Sequence, residues 1–328
     1  MSFKDVLGHS RPIEQLRRAI QRDKIAHSYL FLGNEGIGKK WVALQFAKAL
    51  NCLDPEGEIG EACDHCPSCK KIDHALHPDV LLIEPMGQGI KKEQIIEMQR
   101  GLVYRPYEGK RRVCILTAAD RMAYDIPNTL LKTLEEPPLH TVIVLLATHS
   151  RLILPTILSR CQTIRFNPLP ISMVTKWLIE RKGLKEEEAY LLASLSEGSL
   201  GKALEIQEEI SQVPRENLLK DLLGLKRLSM EEMEFWSNSL PSQREDLLLI
   251  LEVAKTLLRD LALVKAVKGK RKFIHSDLSK KIEEMAISWS LSSLLKRMEV
   301  LHQTTVALRA NANTKLALEA MMLRWAEG

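Results

Sequence analysis

Two groups of residues in this chain have types and spacings that could do chemistry. The first is Gly33-Asn34-Glu35-Gly36-Ile37-Gly38-Lys39-Lys40, preceded by the apolar run Ser28-Tyr29-Leu30-Phe31-Leu32 and followed by a helical pattern over 42–50. Strand, glycine-rich turn and helix form the setting in which backbone N–H groups turn inward around a phosphate, with the positive end of the helix behind them. Gly33, Gly36 and Gly38 would shape that cradle, and Lys39 would reach the outer phosphates as a point charge. The next position should offer a hydroxyl to Mg²⁺; here it is Lys40, an ammonium that cannot ligate a cation. A working site also needs an acid at the end of a neighbouring strand, for the metal and the attacking water. The apolar run Val113-Cys114-Ile115-Leu116 leads instead into Thr117-Ala118, and Asp120 comes three residues late and is expected to point elsewhere. Two independent parts of the metal machinery are missing. Hydrolysis is not expected, while binding of nucleotide or phosphate without turnover stays open.

The second group is Cys52-x10-Cys63-x2-Cys66-x2-Cys69, in an insertion over 51–77 that is rich in Pro, Gly and Asp and has little apolar periodicity. Such a segment cannot bury a core of its own. Four thiolates at short spacing suit tetrahedral Zn²⁺, and the metal would supply the order that the segment lacks. With all four positions taken by protein, the site reads as structural, not catalytic. A redox pair at Cys66 and Cys69 and an iron–sulfur site are the competing readings. His65, His74 and His77 lie near enough to substitute, but each reads as a bystander. Cys114 sits mid-strand as a small buried hydrophobe. Six cysteines in a reducing compartment are not read as disulfides.

The elements that must position these groups can be read from hydrophobic periodicity. A helix over 12–20 precedes the first strand at 28–32. Further strands are expected at 79–83, 111–116, 141–147 and 163–166, with helices over 92–102, 128–136 and 153–159 between them. Strands alternating with helices predict an α/β domain with a parallel sheet of the P-loop type, ending near Pro168-Leu169-Pro170. From Ile171 onward no strand is expected. Helices over 172–181, 186–195 and 200–209 form a small unit, Pro214 marks a boundary, and Leu-rich helical patterns continue to Gly328. Five Lys or Arg fall in the eight residues 265–272, between helices.

The chain has 328 residues, 45% of them hydrophobic and 27% charged, enough for two or three ordinary globular domains. No apolar run approaches the ~18 residues of a membrane span, and the first residues lack a signal-peptide core, so a cytoplasmic location is expected. The net charge of +5 permits contact with nucleic acid without arguing for it.

Several segments together resemble the AAA+ clamp-loader subunits, most closely the delta-prime family of bacterial DNA polymerase III. They are Phe3-Lys4-Asp5-Val6-Leu7-Gly8-His9, Ala26-His27-Ser28-Tyr29-Leu30-Phe31, the four-cysteine insertion, Asn128-Thr129-Leu130-Leu131-Lys132-Thr133-Leu134-Glu135-Glu136-Pro137-Pro138, Leu154-Pro155-Thr156-Ile157-Leu158-Ser159-Arg160-Cys161, and Asn313-Thr314-Lys315-Leu316-Ala317-Leu318-Glu319. The resemblance implies three parts: an AAA+ α/β domain with its zinc module over 1–168, a helical lid over 169–210, and a helical collar over 211–328 that packs with other collars. It implies that Arg160 projects across a subunit interface toward ATP held by a neighbour, an arginine finger in trans. It places Thr148 at the family's sensor position. Relatives that hydrolyse ATP carry Lys-Ser or Lys-Thr, an Asp-Glu pair and a lid Arg after Gly-Ser-Leu. Here those places hold Lys40, Thr117-Ala118 and Gly201. The implied chain has no ATPase of its own, and ATP in its own site is doubtful. The implied partners are the gamma or tau and delta subunits, in a loader that opens the beta sliding clamp and places it on primed DNA. Lys91, Lys92, Arg100, Arg105, Lys110, Arg111 and Arg112 form a basic stretch with DNA contact as one reading. An autonomous gamma-like ATPase and a zinc-dependent nucleic-acid-binding module are the alternatives.

Overall fold

Five strands, β1 (Ser28–Leu32), β2 (Val80–Ile83), β3 (Arg112–Leu116), β4 (Thr141–Ala147) and β5 (Gln162–Arg165), form one sheet in the order β2-β3-β4-β1-β5, with every pairing parallel. The computed structural model describes residues 2–54, 60–87, 89–122, 126–210, 213–224, 240–241 and 243–326. Helix α1 (Ser10–Gln21) precedes the first strand; parallel neighbours need crossovers, and here helices supply them: α2 (Lys39–Asn51), α3 (Pro67–Asp73), α4 (Lys92–Leu102), α5 (Ile126–Glu135) and α6 (Pro155–Leu158).

Side chains alternate across a strand, and both faces of this sheet are covered. Tyr29, Phe31, Val113, Ile115, Val142 and Val144 pack with Leu16 of α1 and with Val42, Phe46 and Leu50 of α2. Leu30, Leu32, Cys114, Leu116, Ile143 and Leu145 take the other face, with Ile95, Met98 and Leu102 of α4 and Leu130 and Leu134 of α5. Because both faces are buried, these strands read as near-continuous apolar runs, and their existence is easy to predict. Boundaries moved by a residue or two. Helix α5 begins at Ile126, α6 covers only Pro155–Leu158, and β5 begins at Gln162. The cysteine insertion is not structureless: Pro67 at the first helical position starts the short α3.

The described residues group into two compact units, one made of Met1–Pro170 with Gly198–Lys202, the other of Ile171–Glu197 with Ala203–Gly328. The second unit is helical as expected: α7 (Ile171–Lys182), α8 (Glu186–Leu195), most of α9 (Leu200–Glu209), α10 (Arg215–Gly224) and four further helices, Arg244–Ala266, Ser279–Ala286, Leu291–Arg309 and Thr314–Ala326. The part of the Leu-rich pattern at 225–239 lies outside the described residues. The 265–272 basic run is partly engaged within its own unit. Lys265 donates to the Ile287 carbonyl, Arg271 pairs with Glu283, and the Lys272 ammonium sits 4.0 Å from the centre of the Tyr190 ring.

Candidate nucleotide site and metal centre

Ligands of open parallel sheets bind outside the carboxyl ends of the strands, where the strand order reverses. Here β1 lies between β4 and β5 while the chain jumps from β1 to β2 at the far edge. The 33–38 loop leaves the end of β1, Thr117 follows β3, and Thr148 follows β4. Together they line a cleft of about 720 Å³ with Glu35, Lys39, Lys40, Trp41, Glu84, Asp120 and Arg121.

The Lys39 ammonium is held inside its own loop. It is buried and donates to the carbonyls of Gly33 at 2.6 Å and Asn34 at 2.7 Å. Burial brings its pKa down to about 8, against the opposing pull of Asp120 and Glu35. Lys40, also lining the cleft, pairs with Glu84 at 2.8 Å. Arg121 pairs with Glu35 at 3.0 Å across the mouth. His9 steadies the loop from behind, its Nε2 donating to the Ile37 carbonyl at 2.8 Å while its ring stands edge-on to Phe166. Burial lowers the His9 pKa, so the ring does this as a neutral group.

The loop is also closed from above. Ser199 Oγ donates to the Glu35 carbonyl at 2.8 Å, and the Gly201 N–H donates to the Gly36 carbonyl at 2.9 Å. The approach needs glycine on both sides. A Cβ at Gly36 would lie 2.5 Å from Ser199 Oγ, and one at Gly201 would lie 2.8 Å from the Gly36 Cα. Gly201 is thus pressed onto the phosphate loop.

Asp120 corrects an expectation. It does not point elsewhere but lines the cleft, because Ala118 takes a left-handed conformation (φ 51°) and starts a tight 3₁₀ turn, Ala119–Arg121, that swings the carboxylate back. Its Oδ2 accepts from the Thr148 N–H at 2.7 Å and from the Thr148 hydroxyl. Counting residues from the strand end missed Asp120, Glu84 and Trp41. The sequence signal for Asp120 was Thr148 at the end of the adjacent strand, a hydroxyl needing a partner.

The four cysteines come together. Their Sγ atoms all lie within 4.8 Å of one another, the only such metal-capable cluster among the described residues. Cys52 caps the end of α2, and Cys66 caps the start of α3, which carries Cys69. Backbone amides point at sulfur: Cys63 N at Cys52, Cys66 N at Cys63, and Cys69 N at Cys66, at 3.3–3.5 Å. Burial pushes the Cys66 thiol up, but the Cys69 and Leu53 amides outweigh it and bring it down to about 6. Burial drives Cys69 upward. Four soft donors, backbone N–H groups placed to stabilise thiolates, and a shared centre fit a tetrahedral thiophilic cation. His65 hydrogen-bonds the Cys63 carbonyl, His74 the Lys70 carbonyl, and His77 accepts from Asp79 N, so all three face other partners. The module is tied to α2 by the buried Lys48, which pairs with Asp64 and, at 2.9 Å, with Asp73.

The basic stretch is not one exposed face. Arg112 is buried and pairs with Asp79 at 2.9 Å, Arg111 pairs with Asp23, and Lys110 donates to the Cys52 carbonyl. Arg112 is therefore withdrawn as a DNA contact. Arg160 follows α6 at the surface, where Nη2 lies 2.6 Å from Glu135.

A family model described as "DNA polymerase III, delta subunit" matches residues 8–170. "DNA polymerase III subunit delta'" of Bacillus subtilis is 30% identical, over 97% of this chain and 96% of its own length. The chain belongs to the delta-prime family of DNA polymerase III. The Pseudomonas aeruginosa delta-prime subunit is likewise 30% identical, over 93% of both chains. The tau subunit of Bacillus subtilis is 31% identical over 63% of this chain but only 37% of its own. A gamma-subunit-related structure from Thermotoga maritima aligns over 96% of this chain and 99% of its own at 23% identity and a TM-score of 0.47, too loose to carry an argument. The delta-prime relatives thus match from end to end, helical unit included, and the tau relative only in part. What this delta-prime cleft can do chemically is limited. It offers N–H groups and an ammonium to an anion, but at the two positions where Mg²⁺ needs a hydroxyl and an acid it has Lys40 and Thr117. The Thr117 hydroxyl itself donates to the Ile83 carbonyl at 3.2 Å.

Proposed function

We propose that this delta-prime chain is a non-hydrolysing clamp-loader subunit that completes the active site of a neighbouring ATPase subunit with Arg160. The observation that carries the reading is the state of its own phosphate loop. Lys39 is turned onto loop carbonyls, Lys40 is paired with Glu84, and Gly201 is pressed onto Gly36. An arginine toward that loop from position 201 would have to displace the 198–202 turn. By contrast, Arg160 is at the surface, just after the short helix that packs beside α5. A planar, always-charged fork suits developing charge on a transferring phosphoryl group, and such fingers contribute roughly 10³–10⁵ in rate in related NTPases.

In this reading the AAA+ domain spans 1–168, a lid 169–210 and a collar 211–328, and the collar assembles with those of gamma or tau and delta subunits. The assembly is cytoplasmic and opens the beta sliding clamp for placement on primed DNA. The cysteine module holds one structural Zn²⁺ through Cys52, Cys63, Cys66 and Cys69. The roomy cleft lined by the glycine loop and Lys39 favours a subsidiary reading in which nucleotide binds without turnover.

The test is clamp- and DNA-stimulated ATP turnover of the reconstituted loader, with wild-type chain and with Arg160→Ala in this chain alone, assembly being checked by gel filtration. A fall of at least tenfold per neighbouring site is expected. Unchanged turnover in an intact complex would leave the chain a scaffold and end the trans-finger reading.

A further inference from the structure

Arg160 is already engaged. Its Nη2 lies 2.6 Å from Glu135 Oε1, and its Nη1 donates to the Thr156 carbonyl at 3.0 Å and to Ser159 Oγ at 3.4 Å. Glu135 is the last residue of α5, and the Pro137-Pro138 pair follows one residue later. An acid there faces the negative end of the helix dipole and is disfavoured unless a cation answers it. Arg160 is that cation. The pairing is fixed by packing: Ile126, Leu130 and Leu134 of α5 and Ile157 of α6 share one core cluster, which sets the two helix ends side by side. Both charged side chains remain about two-fifths exposed, at 36% for Arg160 and 47% for Glu135, so the pair can open without moving the core.

We propose that Glu135 is a positioning residue for Arg160, a carboxylate that occupies the guanidinium fork until the terminal phosphate of ATP on the neighbouring subunit competes for it. This rests on the trans-finger reading above. Carboxylate and phosphate oxygens present the same kind of acceptor pair to the fork, so one can replace the other with the arginine staying charged and hydrogen-bonded throughout. The exchange has to be cheap, and the exposure of the pair makes it so. Exposed ion pairs bias a two-state equilibrium by about two- to five-fold at most. Glu135 therefore sets how often Arg160 is available before clamp and DNA have drawn the subunits together, and matters little once they have.

Glu135→Gln keeps the shape and removes the charge. In the reconstituted loader, ATP turnover without clamp or DNA should rise about two- to five-fold, with fully stimulated turnover nearly unchanged, so that the stimulation ratio falls by the same factor. Raising the salt should shrink the difference between variant and wild type, because an exposed pair is screened. In an Arg160→Ala background, Glu135→Gln should change nothing, an interaction that a general effect on folding would not produce. If Arg160→Ala lowers turnover while Glu135→Gln leaves the unstimulated rate unchanged or lowers it, this proposal is overturned and the finger stands. If Arg160→Ala itself has no effect, the finger reading is the one that fails.

Discussion

Asp79 shows how much one buried carboxylate can organise. It accepts from the backbone N–H groups of Tyr107 at 2.8 Å, Glu108 at 2.9 Å and Gly109 at 2.8 Å, and from Arg112. Burial alone would raise its pKa, but those amides and the guanidinium bring it down to about 2. The folded value lies below the unfolded one, so the stabilisation is complete above about pH 4 and is lost as pH falls through 2. Asp79→Asn should cost about 3–5 kcal/mol, because it strands a buried guanidinium, and should flatten the acid limb of stability. Thermal melts of both proteins between about pH 2 and 7 would show this; superimposable curves would mean that the cradle contributes nothing. The same residue explains a failure of sequence reading. Arg112 looked like one more cation in a basic run, and nothing local marked it as buried. Its partner is 33 residues away, held opposite by the register of β2 and β3. The Glu135–Arg160 pair was hidden for the same reason. Lys40 in place of a hydroxyl was visible at once, because the strand–turn–helix setting fixes what each position of the loop must do.

At the scale of elements, the central strands β1, β3 and β4 were legible because burial on both faces leaves near-continuous apolar runs. The cysteine insertion was legible by a different signal, its lack of anything apolar to bury. Its attachment through Lys48 to α2 was not, since a lysine in the middle of a helix ordinarily reads as solvated. With both features known, the expectation for metal removal is specific. The chain as purified without chelator should hold one equivalent of Zn²⁺, and a strong chelator should release it together with protease resistance across 52–77. The sheet, whose core is separate from the cysteines, should keep its cooperative melt. Well under one equivalent by metal analysis would remove zinc from the account. So would chelation that leaves the insertion protected.

For the molecule as a whole, the proposed reading is an ATPase-like cleft with Lys40 and Thr117 where a metal ligand and an acid would stand. The isolated chain should show no ATP turnover above background with Mg²⁺, and Lys39→Ala should not change that rate. Turnover abolished by Lys39→Ala would revive the autonomous motor. The likeness to delta-prime relatives covers 93–97% of the chain, so it takes in the helical unit as well as the α/β unit.

The hydrogen bond from Gly201 to Gly36 limits what could be built at this loop by substitution. Placing a hydroxyl at position 40 would change a side chain at an exposed position. Placing a side chain at 201 would not, because every non-glycine residue there meets the Gly36 backbone. A side chain at 201 would therefore be penalised whatever stood at position 40. Each glycine makes the other indispensable, so the two positions can change only together with the turn that joins them.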